Sequence, residues 1–182
     1  MILTVRNLCK SYGNRRVADR VSFDVPPGSV IGLLGKNGAG KTTTFRMTMG
    51  MIRSDQGQVF FNGEEISALP MYQRARKGMG YLPQESSVFR GLTVRQNLLA
   101  ILETRPLSEP EQLERLEELI QEFGLTRVVD SKGEVLSGGE KRRLEVARAL
   151  ISDPSLILLD EPFSGVDPIA VEDIQSIISV LK

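Results

Sequence analysis

The feature that most constrains the fold is the stretch GKNGAGKT, from Gly35 to Thr42, which matches the pattern G-x-x-x-x-G-K-[ST]. It follows SVIGLLG, an apolar run that we interpret as a strand buried on both faces of a parallel sheet. We expect a helix to start near Lys41. Glycines let backbone N–H groups surround phosphate oxygens without clashes from Cβ atoms. Strand, glycine-rich loop and helix in this order predict an α/β nucleotide-binding fold.

Each polar side chain of this loop has an expected role. Lys41 reaches the β- and γ-phosphates, Thr42 offers its hydroxyl to Mg²⁺, and Thr43 bonds the α-phosphate. The alternative is a glycine-rich turn between strand and helix that binds no ligand. The predicted ATP-binding residues of the loop are Gly35, Lys36, Asn37, Gly38, Ala39, Gly40, Lys41, Thr42 and Thr43.

A second element, LILLDE, places two acids after four apolar residues, which we interpret as another buried strand. Ligands of open α/β sheets lie at the carboxyl ends of the strands. Asp160 is therefore expected to hold Mg²⁺, and Glu161 to orient or deprotonate an attacking water. Without the phosphate loop, a solvated strand end would explain the two acids as well.

The rest of the chain divides by periodicity. ILTVRNL, VSFDV and GQVFFNGEEI predict strands, with turns at PPG (residues 26–28) and at Asn62-Gly63. A capping box at Ser108 and Glu111 predicts a helix with Leu113, Leu116, Ile120 and Phe123 on one face, ending at Gly124. A nucleotide-binding core, residues 1–83 and 152–182, thus surrounds a helical insertion, residues 84–151. Residues 169–182 predict an amphipathic helix.

The stretch LSGGEKRR, from Leu136 to Arg143, raises a question of charge. Two glycines open a predicted helix, and Lys141, Arg142 and Arg143 add three cations to its first turn. Cations at a helix N-terminus oppose the helix dipole, so an anion such as phosphate would explain them. The alternative is an ordinary exposed basic helix start in which Arg142 and Arg143 are simply solvated.

Composition narrows the class of protein. The 182 residues hold 23 basic and 23 acidic side chains, and this balance disfavours nucleic acid as a partner. The single cysteine, Cys9, is compatible with a reduced, cytosolic setting. The N-terminus lacks a signal-peptide pattern, and no apolar run is long enough to span a bilayer. Any membrane-spanning parts would therefore belong to other chains.

These motifs together resemble the ATP-binding cassette (ABC) ATPases, which are P-loop NTPases of RecA-like fold with an antiparallel β subdomain and a helical insertion. The resemblance covers the whole chain. LSGGE resembles the family's signature sequence, and Gln84 resembles the glutamine that joins core and insertion. Tyr12 resembles the aromatic residue that stacks on adenine, although Tyr12 alone would be an ordinary turn residue. Asp167, in SGVD, resembles the residue that communicates with a partner subunit.

The resemblance implies a partner and a shared site. Two cassettes pair head-to-tail, so that the signature of one clamps the γ-phosphate held by the other; here that assigns ATP contacts in trans to Ser137, Gly138, Gly139 and Glu140. It also implies catalytic roles for Glu161 and Gln84, and Mg²⁺ contacts from Thr42, Gln84 and Asp160. The segment with Phe89, Arg90 and Leu92 would receive a short helix of an integral membrane subunit, unless Phe89 is a core aromatic.

The expected activity is ATP hydrolysis that drives transport, at the cytoplasmic face of the inner membrane. PQESSVFRGLTV and DEPFSGVDPI are most similar to cassettes of lipopolysaccharide export, whereas importers of branched-chain amino acids carry similar cassettes. Two further alternatives are a soluble ABC protein acting on ribosomes or DNA ends, and a nucleotide-dependent pairing module with little turnover. The chain has no histidine to contact the γ-phosphate, so we expect a cassette lacking its C-terminal part and hydrolysing ATP weakly.

Overall fold

The computed structural model describes residues 1–161. Asp167 and the helix predicted over residues 169–182 lie outside the described residues. Contacts divide the described chain after Met79 into two units, and the predicted subdomains, 1–83 with 152–182 and 84–151, stay a prediction. The strands are β1 (Leu3–Tyr12), β2 (Arg15–Val25), β3 (Gln56–Phe61), β4 (Glu64–Glu65), β5 (Met79–Leu82) and β6 (Leu156–Leu159), and the helices are α1 (Lys41–Thr48), α2 (Met71–Arg76), α3 (Val94–Leu102), α4 (Glu109–Glu122) and α5 (Gly138–Leu150).

The first unit contains a four-stranded antiparallel sheet in the order β2-β1-β3-β4. The three strand segments predicted from alternation are confirmed. Asn62 and Gly63 have φ angles of 50° and 81°, as a two-residue turn of the type favoured in β-hairpins requires. The alternating side chains Leu3, Val5 and Val59 are buried, so one face of this sheet forms core. This is the antiparallel β subdomain that the sequence predicts.

The strand predicted over SVIGLLG is wrong for this structure. Residues 29–36 form no strand, and Leu34 is 93% exposed. Val30 and Ile31 are exposed as well. No described strand hydrogen-bonds to this segment, and an apolar run becomes a buried strand only when neighbouring strands pair with it and cover it. The turn before it is confirmed: Gly28 has a φ of 65°, and the Ser29 hydroxyl donates to the Pro26 carbonyl at 2.6 Å.

The second unit is mainly helical. Helices α3, α4 and α5 enclose an apolar core that includes Leu98, Leu116 and Leu144. The predicted start of α4 is confirmed, because the Glu111 carboxylate accepts from both the N–H and the hydroxyl of Ser108. Its end is confirmed too, since Gly124 follows with a left-handed φ of 60°. The predicted apolar face is wrong at one position: Leu113 is 47% exposed, and Leu119 takes a place in the core instead.

Strand β6 confirms the strand predicted in LILLDE. It pairs with β5 in a two-stranded sheet, and the N–H of Asp160, just after β6, donates to the Leu82 carbonyl at 3.0 Å. The burial is less complete than predicted, because only Leu158 of the four apolar residues is fully buried and the others are half-buried. The pair nevertheless places both acids at the end of β6.

Candidate functional site

The phosphate loop curls around the ammonium group of Lys41, the first residue of α1. The Lys41 Nζ donates to the carbonyls of Gly35 at 2.7 Å and Lys36 at 3.2 Å. Gly38 and Gly40 have φ angles of 77° and 88°, which only glycine adopts without strain. The helix predicted to start near Lys41 is thereby confirmed, and the cation lies where the loop bends around it. A lysine ammonium at the start of a helix that follows a glycine-rich loop is chemically suited to phosphate.

Gly40 is also the point where the loop touches strand β2. A Cβ on Gly40 would come to 2.1 Å from the carbonyl oxygen of Val17. Real Cβ atoms do not approach backbone oxygens so closely, so a side chain here forces either the loop or β2 to move. The glycine is therefore required both for its backbone angle and for the space that it leaves.

We expect Gly40→Ala to lower the free energy of unfolding by at least about 3 kcal/mol, because the clash with Val17 adds to a left-handed backbone strain of about 1–2 kcal/mol. The matched control is Gly63→Ala, with a φ of 81° and no atom near its Cβ, which should show the strain alone. Urea unfolding measures both. Equal destabilisation by the two variants would contradict the close contact.

Tyr12 ends strand β1, and the residue is 54% exposed. The ammonium of Lys10 lies 5.7 Å from the ring centroid and is itself held by the Asp55 carboxylate at 2.8 Å. The hydrogen bond from Lys10, with a second from the Ser11 N–H, lowers the pKa of Asp55 below its ordinary value. An exposed aromatic ring on a rigid strand end can stack on a planar base, as predicted for adenine.

Two predicted catalytic residues lie together in the second unit. The side-chain amide of Gln84 donates to Oε2 of Glu161 at 2.8 Å, although 77 positions separate them in the chain. Glu161 has a φ of 47°, an uncommon value for a non-glycine residue. Such values concentrate at functional sites, where surrounding structure holds the strain. The structure thus brings Gln84 and Glu161 together, and their catalytic roles stay a prediction.

Asp160 is buried and accepts a hydrogen bond from the Tyr81 hydroxyl at 3.1 Å. The sequence analysis missed Tyr81. The available signal was a residue with a hydroxyl group next to the end of strand β5, three positions before Gln84. Within residues 1–161, no three His, Cys, Asp or Glu side chains form a cluster that would hold a metal alone. Mg²⁺ commonly takes one or two protein oxygens and completes its shell with substrate phosphates and water. Thr42 carries a hydroxyl oxygen and Asp160 a carboxylate, and each is an oxygen ligand of the kind that Mg²⁺ prefers.

The signature segment begins α5 with a reciprocal cap. The Ser137 hydroxyl accepts from the Glu140 N–H at 3.3 Å, and the Glu140 carboxylate accepts from the Ser137 N–H at 2.8 Å. The hydroxyl of Ser137 also donates to that carboxylate, and these bonds lower the pKa of Glu140. Gly138 and Gly139 are the first two residues of the helix, whose N–H groups have no partner within it. A Cβ on Gly138 would meet no atom within 4 Å.

The expectation that the cations of LSGGEKRR load the first helical turn is wrong for Arg142 and Arg143. Helix α5 begins at Gly138, so these two arginines follow the first turn, which contains Glu140. Arg142 is only 5% exposed and donates to the Pro83 carbonyl at 3.2 Å and to Glu145 at 3.0 Å. The alternative of a solvated Arg142 is therefore wrong as well. Glu145 balances the charge of Arg142 inside the unit, so this arginine does not face an outside anion.

The predicted docking residues lie on the segment between β5 and α3. Phe89 is 44% exposed and Arg90 is exposed, whereas Leu92 is half-buried. The alternative of a core aromatic is wrong for Phe89. An exposed phenylalanine beside an exposed arginine suits contact with another chain. No helix in the described part of the chain is long and apolar enough to cross a membrane.

The sequence model of the ABC transporter family matches residues 18–164, and the chain therefore belongs to the ABC transporter ATP-binding proteins. Among its relatives, it is 56% identical over its whole length to the lipopolysaccharide export system ATP-binding protein LptB of Haemophilus influenzae, of which it covers 76%. The protein of the same name from Escherichia coli K12 is 52% identical, with 99% of this chain and 75% of that protein covered.

Solved structures agree on the fold. The ATP-binding cassette MJ1267 of an ABC transporter superposes with a TM-score of 0.89 at 29% identity, covering 99% of this chain and 77% of that one. The cbiO1 subunit from Clostridium perfringens gives a TM-score of 0.86 at 26% identity, covering 99% and 73%. The predicted fold class, an α/β ABC cassette, is confirmed, and the chain is shorter than these relatives. ATP is accordingly the nucleotide of this family's site.

Proposed function

We propose that this chain is the ATP-binding and ATP-hydrolysing subunit of an ABC transporter that powers lipopolysaccharide export through separate integral membrane subunits. The 52–56% identity to export-system relatives over nearly the whole chain supports the substrate system. The hydrogen bond between Gln84 and Glu161 is the main support for ATP hydrolysis, because it joins two candidate catalytic residues from distant motifs. In this proposal the chain works at the cytoplasmic face of the inner membrane.

The phosphate loop supplies binding and charge neutralisation. Lys41 exchanges its bonds to the Gly35 and Lys36 carbonyls for phosphate oxygens, and the backbone N–H groups of residues 36–42 donate to the remaining oxygens. Thr42, Gln84 and Asp160 would hold Mg²⁺, and Tyr81 orients the Asp160 carboxylate. Bound Mg²⁺ neutralises charge that develops on the transferred phosphoryl group. Tyr12 stacks on the adenine.

Glu161 orients the attacking water and accepts its proton. A carboxylate offers about four acceptor positions, and Gln84 occupies one of them. The amide of Gln84 therefore fixes the orientation of the carboxylate while leaving capacity for water. General-base catalysis of this kind contributes typically about 10²–10⁴ in rate.

We expect Glu161→Gln to keep ATP affinity within about twofold while turnover in the assembled transporter falls at least about a hundredfold, because the amide cannot accept a proton. Calorimetry measures the affinity and phosphate release measures the turnover. The matched control is Glu85→Gln, which alters an exposed acid nearby and should leave both unchanged. Near-normal turnover of Glu161→Gln would exclude this base.

The second copy of the chain completes the site in this proposal. Helix α5 begins with open glycines, and its first N–H groups can donate to a γ-phosphate held by the partner's phosphate loop. Ser137 and Glu140 hold each other in the cap and so set the direction of those groups. The pair would be head-to-tail with two-fold symmetry, and Asp167 would contact the partner.

Docking to the membrane subunits is assigned to the segment with Phe89, Arg90 and Leu92. We expect Phe89→Ala to weaken binding of the membrane subunits at least about tenfold, since it removes an exposed aromatic anchor, while ATP affinity stays unchanged. Surface-immobilised chain and detergent-solubilised export subunits provide the measurement. Leu113→Ala, which removes a similarly exposed apolar side chain elsewhere in the unit, is the control. Equal binding by the two variants would contradict the docking assignment.

Co-purification tests the function as a whole. The chain is expressed with lipopolysaccharide-export membrane subunits or with those of a branched-chain amino acid importer, and ATP hydrolysis is measured for each complex. We expect association and ATP-dependent turnover with the export subunits alone. If the chain associates with the importer subunits instead, the proposed substrate changes from lipopolysaccharide to branched-chain amino acids. ATP-driven pairing without turnover in either complex would favour the pairing module.

A further inference from the structure

Residues 88–93, which we call the docking segment, are held from two helices at once, and the inference here rests on the docking role just proposed. The first attachment is Asn97, which is completely buried in the second turn of α3. Its Oδ1 accepts from the Phe89 N–H at 2.9 Å, and its Nδ2 donates to the Phe89 carbonyl at 3.0 Å. The same Nδ2 approaches the carbonyls of Leu92 at 3.2 Å and Thr93 at 3.0 Å.

Asn97 stands on the apolar face of α3, where its neighbours Val94 and Leu98 belong to the core. A buried amide is unfavourable unless its donors and acceptor are satisfied. Here they are satisfied by the backbone of the docking segment. The amide therefore closes this segment into a defined loop and fixes both backbone polar groups of Phe89.

The second attachment comes from α5, the helix that begins with the signature glycines. The guanidinium of Arg148 lies 4.3 Å from the centroid of the Phe89 ring, and its Nη1 donates to the Ser87 carbonyl. Burial lowers the pKa of Arg148, and Glu145 opposes that effect; an arginine stays charged throughout the physiological range. A charged guanidinium against a ring attracts it and limits the directions in which the ring can turn.

The chain that enters α5 lies against the same segment. The Gly133 N–H donates to the Leu92 carbonyl at 2.9 Å, and the Glu134 N–H donates to the Arg90 carbonyl at 3.0 Å. A Cβ on Gly133 would come to 2.5 Å from Val88 and 2.9 Å from the Phe89 carbonyl. Docking segment and signature helix are thus joined by side chain and by backbone.

We propose that Asn97 and Arg148 are positioning residues for membrane-subunit docking: Asn97 fixes the backbone of Phe89, and Arg148 fixes its ring and links it to the signature helix. A displacement of Phe89 by a membrane subunit then moves α5, and with it Gly138 and Gly139. Neither residue belongs to the proposed ATP site. Their effect on docking passes through Phe89.

A double-mutant cycle tests the link. Arg148→Lys keeps the charge and removes the planar contact, and Phe89→Leu keeps an apolar side chain and removes the ring. Each single variant should weaken binding of the detergent-solubilised export subunits about tenfold, and the double variant should bind no worse than Phe89→Leu. ATP affinity should stay unchanged in all three. If the loss of affinity in the double variant equals the product of the two single losses, the claim that Arg148 acts through Phe89 is overturned.

Hydrogen exchange on the free chain tests the positioning without any partner. Asn97→Asp is isosteric and keeps an acceptor for Phe89, yet it removes the donors to three carbonyls. Asn97→Asp and Arg148→Lys should each speed amide exchange in residues 87–93 at least about tenfold. The control Arg95→Ala removes an exposed ion pair between α3 and Glu117, and it should leave this exchange unchanged. Unchanged exchange in both variants would overturn the proposal. Wild-type chain that fails to bind the export subunits would overturn the proposed function, and exchange would still decide the positioning.

Discussion

Lys41→Ala should reduce ATP affinity at least about a hundredfold while the chain stays folded. The ammonium is expected to bond both the β- and γ-phosphates, and hydrogen bonds to charged groups contribute about 1.5–3 kcal/mol each. In the structure this ammonium donates to the carbonyls of Gly35 and Lys36 in its own loop. Its removal therefore disturbs a few loop contacts and no buried core.

Calorimetric titration with ATP and Mg²⁺ measures this loss, and urea unfolding verifies that the fold is intact. Lys77→Ala is a suitable control, because it removes a lysine whose partner is the exposed acid Glu64. An exposed pair of this kind contributes about 0–1 kcal/mol to stability. Near-wild-type affinity of Lys41→Ala would show that the loop does not bind phosphate through this group.

Gly138→Asp should abolish ATP-driven pairing of two chains while each chain still binds ATP. A carboxylate at this helix start would face the partner's γ-phosphate, so two anions would meet where the proposed site needs a donor. The single chain should tolerate the change, because a Cβ at Gly138 meets no atom within 4 Å. An acid in the first turn of a helix is even favourable for the helix itself. Loss of pairing would therefore not reflect unfolding.

Analytical ultracentrifugation with ATP and Mg²⁺ checks this expectation, with Glu161→Gln as the background so that bound ATP persists. Gly138→Ala is the graded comparison, since it adds bulk without charge and should weaken pairing less than the aspartate does. If Gly138→Asp forms dimers at the protein concentrations at which the Glu161→Gln chain dimerises, the signature helix is ruled out as a shared phosphate site.

Local patterns predicted local structure well. The capping box at Ser108 and Glu111, the turn at Asn62-Gly63 and the helix from Lys41 each depend on a few adjacent residues, and each is confirmed. The family and the fold could also be predicted from the sequence, because the phosphate-loop and signature patterns are long and specific. Such features need no knowledge of distant contacts.

Several features that depend on tertiary contacts were not predicted. The run SVIGLLG has the composition of a buried strand, yet burial requires neighbouring strands that no local pattern supplies. Arg142 looked like a free cation because its partners are Glu145, within the same helix, and Pro83, 59 positions away. Asn97 did leave a signal, since it falls between Val94 and Leu98 on the apolar face of α3. A polar residue at such a position needs a buried partner.

The reciprocal caps have a consequence for the order in which the chain folds. Helices α3, α4 and α5 all begin with such a cap, formed within four residues at Thr93, Ser108 and Ser137. Helical segments of this size form on timescales of about a microsecond, whereas pairing between distant strands must first close a long loop. The sheet of the first unit must bring Leu3 to Phe61. The helices should therefore form early in refolding and the sheet late, so that the helix that begins at the signature glycines exists before the strands assemble.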